Sequence, residues 1–367
     1  MKKAAGAVFL LVGAVLVAGG IDKKSGLNNF VADVQADESE GQNTAADTEK
    51  RSLISKIDTS IPVIPGSRIA VVSKSVNGEY WKSVKDGMEA AVKDINEAYG
   101  FSKDEEITMT FEGPSDEQDV STQVNTLDAV IAENPAVLCL AASDMDSCQA
   151  QLEAAEENEI PVVSFDSNVV DNDLVTSFIG TDNTAVGQIA GEKLAEYLNG
   201  EGKVAVFSAQ EKTESIQKRI EGFESAMSEQ DGITVVKELY MDQVEDMSAA
   251  MTEVLGSYPD LAGVFCTNED TAELYLNLDK PEGMSPVLVG VDASSGQQEA
   301  VKNETEKGCV SQDPYAIGYQ TILTAAHATA VDEEAGEQVP LDKEILMEPQ
   351  WIDITNIENE AYSHYLY

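Results

Sequence analysis

The stretch Ile69-Ala70-Val71-Val72-Ser73-Lys74-Ser75-Val76-Asn77-Gly78-Glu79-Tyr80-Trp81 holds the unit from which the fold is read. A short β-rich run, Ile69–Ser73, gives way to polar residues and then to an amphipathic helical stretch, Glu79–Glu97. The same unit recurs along the chain. Strands are predicted at Ile107–Glu112, Val137–Ala141, Val162–Asp166, Ser177–Gly180, Val204–Ser208, Thr234–Tyr240, Gly263–Thr267, Val287–Asp292 and Cys309–Gln312. Helices are predicted between most of them, among them Gln118–Glu133, Ala185–Leu198, Ser215–Ser228 and Ala316–Val331. In the helix over 185–198, Ile189, Leu194 and Leu198 form the expected apolar stripe. Repeated strand–helix units imply an α/β fold with parallel sheets covered by helices on both faces. Ten strands are many for one doubly wound sheet, and 367 residues favour two.

Ligands of such sheets collect beyond the carboxyl ends of the strands. Polar side chains stand at those ends: Lys74-Ser75, Ser143-Asp144, Asp166-Ser167, Asn268-Glu269, Asp292 and Gln312-Asp313, with Tyr80-Trp81 alongside. Carboxylates and amides hydrogen-bond the neighbouring hydroxyls of a hydroxyl-rich ligand, and an aromatic face covers the C–H surface of its ring. Residue type alone leaves another role open, because Asp and Asn after a strand also cap the next helix.

The N-terminus differs from the rest. Met1-Lys2-Lys3 precedes an apolar run, Ala4 to Ile21, as in a secretory signal. Val17-Ala18-Gly19-Gly20 resembles a lipobox, but Gly20 stands where a lipid-bearing Cys would be, so lipidation there is chemically excluded. Cleavage and retention as a membrane anchor both remain open. The acidic segment from 22 to 66 reads as a flexible tether. With 67 acidic and 23 basic residues the formal charge is −44, which opposes nucleic acid as a partner. Cys139, Cys148, Cys266 and Cys309 form no C-x-x-C pair and read as buried thiols, Cys139 and Cys148 being the nearest pair for a disulfide. The two histidines, His327 and His364, are too few for a metal or catalytic cluster and are expected on the surface.

Several segments together resemble one family. Ile69 to Trp81 with Gly87, Pro161 to Ser167, Phe178 to Asn183, Arg219 to Phe223, Gly263 to Glu269, Val289 to Asp292 and Gln312 to Tyr319 are similar, in order, to type I periplasmic sugar-binding proteins of the ribose class. The resemblance implies two Rossmann-like lobes joined by a three-strand hinge (periplasmic-binding-protein-like I) that close on one ligand. It places a first lobe in 67–182 plus 313–342, a second in 183–312 plus 343–355, and a tail in 356–367. The crossovers are expected near Asp182-Asn183, Gln312-Asp313 and Leu341–Glu344. Carried over by position, Tyr80 and Trp81 match the aromatic pair that sandwiches the sugar, and Asp166, Arg219, Asn268, Asp292 and Gln312 the polar contacts. Lys74 joins the expected site because relatives that bind rhamnose-like sugars or autoinducer-2 carry a lysine hereabouts, and Asp144 because it stands close to the end of the third strand.

Two departures bear on the ligand. Ribose binders carry an Arg after the Asp of the fourth strand, where this chain has Ser167, and an Asn aligned with Ala141. Unmatched buried polar groups cost affinity, so ribose itself is not the expected ligand. The implied role is an exported, non-catalytic substrate-binding protein, on the outer face of the cytoplasmic membrane or in the periplasm. No cofactor or metal is expected, and the protein is expected to be a monomer. Its partners would be a monosaccharide or sugar-like molecule and an ABC permease. The same clamp reporting to a histidine kinase or chemoreceptor is the main alternative. A repressor would need a basic helix-turn-helix where the apolar run and acidic tether stand. An enzyme finds no G-x-S-x-G elbow or glycine-rich phosphate loop.

Overall fold

The computed structural model describes residues 57–170, 172–332 and 337–367. The expected signal or anchor at 1–21 and most of the tether lie outside the described residues. In the folded body, β1 (Arg68–Val72), β2 (Thr108–Glu112), β3 (Val137–Leu140), β4 (Val162–Phe165) and β5 (Ser177–Thr181) build one parallel sheet. A second is built from β6 (Glu201–Ser208), β7 (Gly232–Tyr240), β8 (Leu261–Cys266), β9 (Val287–Val291) and β10 (Gly308–Ser311). After a two-stranded ribbon, β11 (Val331–Asp332) with β12 (Glu337–Gln338), the chain adds β13 (Glu344–Met347) to the first sheet and β14 (Gln350–Ile352) to the second. The orders, β13-β5-β4-β3-β1-β2 and β14-β10-β9-β8-β6-β7, are the same arrangement used twice. The edges differ: β13 runs parallel to β5, whereas β14 runs antiparallel to β10.

Nine α-helices of the described residues connect these strands. They are α1 (Glu79–Tyr99), α2 (Val120–Ala132), α3 (Gln149–Glu157), α4 (Asn183–Leu198), α5 (Glu214–Ser228), α6 (Met247–Ser257), α7 (Glu269–Leu276), α8 (Ser295–Lys302) and α9 (Pro314–His327). Strands β3 and β4 are buried along their whole length, as expected of parallel strands covered on both faces. The helices pack closely through glycines. A Cβ on Gly87 of α1 would stand 2.1 Å from the Tyr315 carbonyl oxygen of α9, and one on Gly318 would stand 2.0 Å from that of Val84. In the second lobe Gly187 of α4 and Gly222 of α5 repeat this, at 1.8 Å from the Arg219 oxygen and 2.0 Å from the Thr184 oxygen. The buried face of α4 therefore follows Val186, Gly187, Ala190, Gly191 and Leu194, while Ile189 and Leu198 of the expected stripe are only partly buried.

Three passages link the sheets. Asp182 follows β5 and caps α4 through the Ala185 N–H, and Asp313 follows β10 and caps α9 through the Ala316 N–H. Thr181 Oγ1 donates to Gln312 Oε1 at 2.8 Å and so ties the first passage to the second. The third was expected at Leu341–Glu344. Because β13 pairs with β5 from Glu344 to Met347, it lies instead at Glu348-Pro349, and 343–347 go with the first sheet rather than the second.

Three further expectations change. Residues 57–66 do not behave as tether: Val63 is buried, and the Tyr99 hydroxyl donates to the Ile61 carbonyl. His327 is buried, 3.5 Å from the Tyr99 hydroxyl, and burial holds its imidazole below the usual range. His364 is also largely covered, 3.9 Å from Asp313. All four cysteines are buried free thiols, and burial pushes the Cys148 thiol up to about 12, far from reactive.

Candidate functional site

A cavity of about 520 Å³ opens between the two lobes where the strands end. On the first-lobe side, Asp166 follows β4 and is almost fully buried. Lys74, at the end of β1, places Nζ 2.8 Å from Asp166 Oδ2, and Ser167 Oγ donates to the same oxygen at 2.8 Å. The Tyr80 hydroxyl donates to Oδ1 at 2.6 Å. Burial alone would push the Asp166 carboxyl up, but Lys74, Tyr80 and Arg219 together outweigh it and hold it below the ordinary range. Lys74 shows the converse: burial would lower its ammonium, and Asp166 with Glu117 holds it above the usual value. Lys74 Nζ also lies 3.0 Å from Ser167 Oγ. The cation beside Asp166 thus comes from the segment that follows β1, not from the residue after the aspartate.

On the second-lobe side, Asp292 follows β9. Its Oδ1 accepts from Gln312 Nε2 and from the Tyr367 hydroxyl, each at 2.8 Å, and its Oδ2 accepts from the Glu269 N–H at 2.8 Å. Arg219 of α5 is buried and hydrogen-bonds no carboxylate among the described residues: Nε donates to Asn183 Oδ1 and Nη1 to the Thr267 carbonyl, both at 2.8 Å. These bonds hold the guanidinium in one orientation, with Nη2 making no hydrogen bond to the described residues. Asn268 caps α7 with its Oδ1, which leaves its amide N–H groups available.

Tyr80 and Trp81 open α1. Their rings meet edge to face, with centroids 5.2 Å apart. A sugar ring between two aromatic faces needs a gap of roughly twice the ~3.5–4.0 Å contact distance, so these rings form one wall and not two jaws. The wall continues inward to Phe165, 6.3 Å from Trp81, and outward to Tyr367, 5.8 Å from Tyr80.

The cavity brings together Lys74, Tyr80, Trp81, Asp166, Arg219, Asn268, Asp292 and Gln312 from both lobes. Asp144 is the exception. Its Oδ1 accepts the Asp146 and Ser147 N–H groups, and its other oxygen lies 4.0 Å from Lys212 Nζ, so it shapes a turn at the lobe contact outside the cavity lining. Glu117, which accepts from Trp81 Nε1 at 2.5 Å, carried no sequence signal; Glu269, named only as a polar residue at a strand end, has an Oε2 that accepts the Tyr80 N–H at 3.3 Å. Burial, then Asp292 and Asp270, pushes the Glu269 carboxyl up to about 8. Ser167 Oγ and Ser215 Oγ meet at 2.8 Å, and Gln210 Nε2 donates to the Glu117 carbonyl at 2.6 Å. These bonds join one lobe to the other, so the clamp is closed in this structure.

A family model described as "Periplasmic binding protein domain" matches residues 69–333. The chain belongs to this family. It is a type I periplasmic binding protein of the kind that serves sugar ABC transporters. The ribose import binding protein RbsB of Escherichia coli (strain K12) is 24% identical over 281 residues, 76% of this chain and 90% of that protein. Among solved structures, an ABC transporter solute binding protein from Agrobacterium vitis with bound D-fucose has a TM-score of 0.73 and 28% identity, covering 82% of this chain and 100% of its own. A second from the same organism, bound to α-D-tagatopyranose, has a TM-score of 0.73 and 26% identity, with 82% and 99% coverage. Periplasmic binding proteins of this type have two α/β lobes, and the two like-ordered sheets here match that fold.

Proposed function

We propose that this chain is an extracytoplasmic substrate-binding protein that closes on a monosaccharide or sugar-like molecule and presents it to an ABC permease, without chemical change. The observation that carries the reading is the convergence of Asp166 with Lys74 from one lobe, and Asp292 with Arg219 and Gln312 from the other, on one 520 Å³ cavity. That volume suits a small molecule. Fixed acceptors and donors beside an apolar ring face match a hydroxyl-rich ligand. The names of the relatives, as import binding proteins, favour transport over signalling. The bounds of the lobes follow the sheets: the first takes residues up to Thr181, α9 and β13, and the second takes α4 to β10 with β14.

Ribose is not the proposed ligand, because Ser167 and Ala141 stand where ribose binders place two donors. The test is isothermal titration of the full chain with D-fucose, D-tagatose, D-arabinose, D-glucose and D-ribose. Tight binding of at least one sugar other than ribose is expected, with no turnover of the corresponding glycosides. Tight ribose binding would refute the ligand assignment, and no binding of any sugar would refute the sugar reading as a whole.

A further inference from the structure

The segment after β14 lies beyond the 69–333 span of the family model, yet it returns to the cleft. Ile357 is buried against Ala293, Val301, Cys309 and Ile352, with Tyr362, Tyr365 and Leu366 packed around them. Two of the three passages between lobes meet this segment. His364 lies 3.9 Å from Asp313, and the Tyr365 hydroxyl donates to the Glu348 carbonyl at 3.3 Å. Ser311 Oγ donates to the Tyr365 carbonyl at 2.6 Å, the Tyr367 N–H to the Ala293 carbonyl at 3.3 Å, and Gln298 Nε2 to the Tyr367 carbonyl at 3.2 Å. Tyr367 is thereby fixed to the second lobe at both backbone ends of its peptide.

Its side chain does two things from there. The hydroxyl joins Gln312 on Asp292 Oδ1, so this oxygen holds two donors and Oδ2 holds the Glu269 N–H. The ring stands edge to face against Tyr80, at 5.8 Å and 71°, and Tyr80 belongs to the first lobe. The residues of the second lobe that line the cavity, such as Ile216, Met241 and Leu274, include no aromatic. Tyr367 is the aromatic ring that this lobe sets against the Tyr80–Trp81 wall.

We propose that Tyr367 is a positioning residue of the ligand site: it fixes the Asp292 carboxylate and, through Tyr80, latches the lobes in the closed arrangement. The affinity part rests on the sugar-binding reading above, whereas the latch part does not. A ring fixed to one lobe meets Tyr80 only when the lobes approach, so it favours the closed state by its differential contact. Removing the ring weakens closure and binding together. Removing only the hydroxyl keeps closure and loosens Asp292.

The test uses the full chain with spin labels on Lys103→Cys and Asp279→Cys, both exposed positions, because the native cysteines are buried. Without sugar, Tyr367→Ala is expected to shift the inter-lobe distance distribution toward longer values, and Tyr367→Phe to leave it unchanged. For whichever of D-fucose, D-tagatose and D-arabinose binds the unsubstituted protein, Kd is expected to rise at least tenfold in Tyr367→Ala and about threefold in Tyr367→Phe, with Tm within a degree or two of the parent. Unchanged distances and affinity in Tyr367→Ala would overturn the proposal. Tighter sugar binding in that variant would overturn it too, since Tyr367 would then compete with the ligand. If the unsubstituted protein binds none of these sugars, the sugar reading fails and the distance measurement still decides the latch.

Discussion

Asp166 and Asp292 occupy the same position in the two lobes, one residue beyond the fourth strand of each sheet, and both have left-handed backbones, with φ of 59° and 78°. Such φ values are uncommon for residues other than glycine, and Asp and Asn tolerate them best. Each lobe therefore turns its chain sharply at the strand end and leaves a buried carboxylate at the crevice. The two lobes present equivalent acceptors to one cavity.

The first prediction concerns the Lys74–Asp166 pair. Asp166→Ala strands a buried ammonium and should cost about 3–5 kcal/mol in urea unfolding, with loss of any sugar-induced rise in Tm. Lys74→Met combined with Asp166→Leu removes both charges and should recover most of the stability but none of the sugar response. A double variant as unstable as Asp166→Ala would mean that the charge pair is not the cause.

A second prediction follows from the helix contact in the second lobe. Gly187→Ala drives a methyl into the Arg219 carbonyl and the Phe223 amide of α5. It should cost at least the ~1–3 kcal/mol usual for overpacking, and weaken sugar binding because the backbone carrying Arg219 must move. Gly256→Ala in α6 meets nothing within 4 Å and should be neutral or stabilise by up to ~1 kcal/mol. Equal effects of the two in thermal unfolding would remove the packing explanation.

Stability should also depend on pH through Glu306, which is wholly buried, accepts from Gln297 Nε2 and has an Oε2 without a partner among the described residues. Burial pushes its carboxyl up to about 8 from 4.5. Between those values the folded state holds a proton that the unfolded state has released, so stability falls as pH rises, by at most ~1.4 kcal/mol per pH unit for this group. Above about 8 the loss from this group is complete and its contribution is flat. Glu306→Gln should flatten the fall and be the more stable protein at pH 8.5. Glu269, also raised to about 8, adds a slope of the same sign, which Glu269→Gln should remove separately. Tm across pH 5–9 for the parent and both variants checks this.

The bond from Thr181 to Gln312 couples two inter-lobe passages to the site. Thr181→Val keeps the shape but leaves the Gln312 oxygen without its donor and the Gln312 amide less firmly held on Asp292. Sugar affinity should fall about tenfold, equivalent to ~1.4 kcal/mol, mainly through faster release in stopped-flow fluorescence. Unchanged release would show that Gln312 is positioned by Asp292 alone.

The repeated strand–helix pattern was legible because parallel strands buried on both faces appear as continuous apolar runs, and polar residues stand where those runs stop. Of the cavity lining, Lys74, Asp166, Asn268, Asp292 and Gln312 were legible for the same reason, whereas Arg219 came from the family resemblance. Asp144 misled because an Asp beside a strand end has the same local signature whether it faces a ligand or caps its own turn. Glu117 went unnoticed among 67 acidic residues, and Glu269 was named at a strand end but not singled out, since burial, not residue type, distinguishes them. Strands β13 and β14, four and three residues long, carry too little pattern to separate, which shifted the third passage. Tyr367 has no local signal, because its neighbours in space are 75 and 287 residues away.

Strands β13 and β14 are separated only by Glu348 and Pro349, yet each completes a different sheet. A ribosome must therefore deliver residue 347 before the first half has its full set of strands, and residue 352 before the second has. No contiguous gene fragment encodes one half alone, and a stop codon placed before residue 344 would strip the outermost strand from both at once. Separate cores notwithstanding, the two halves mature together.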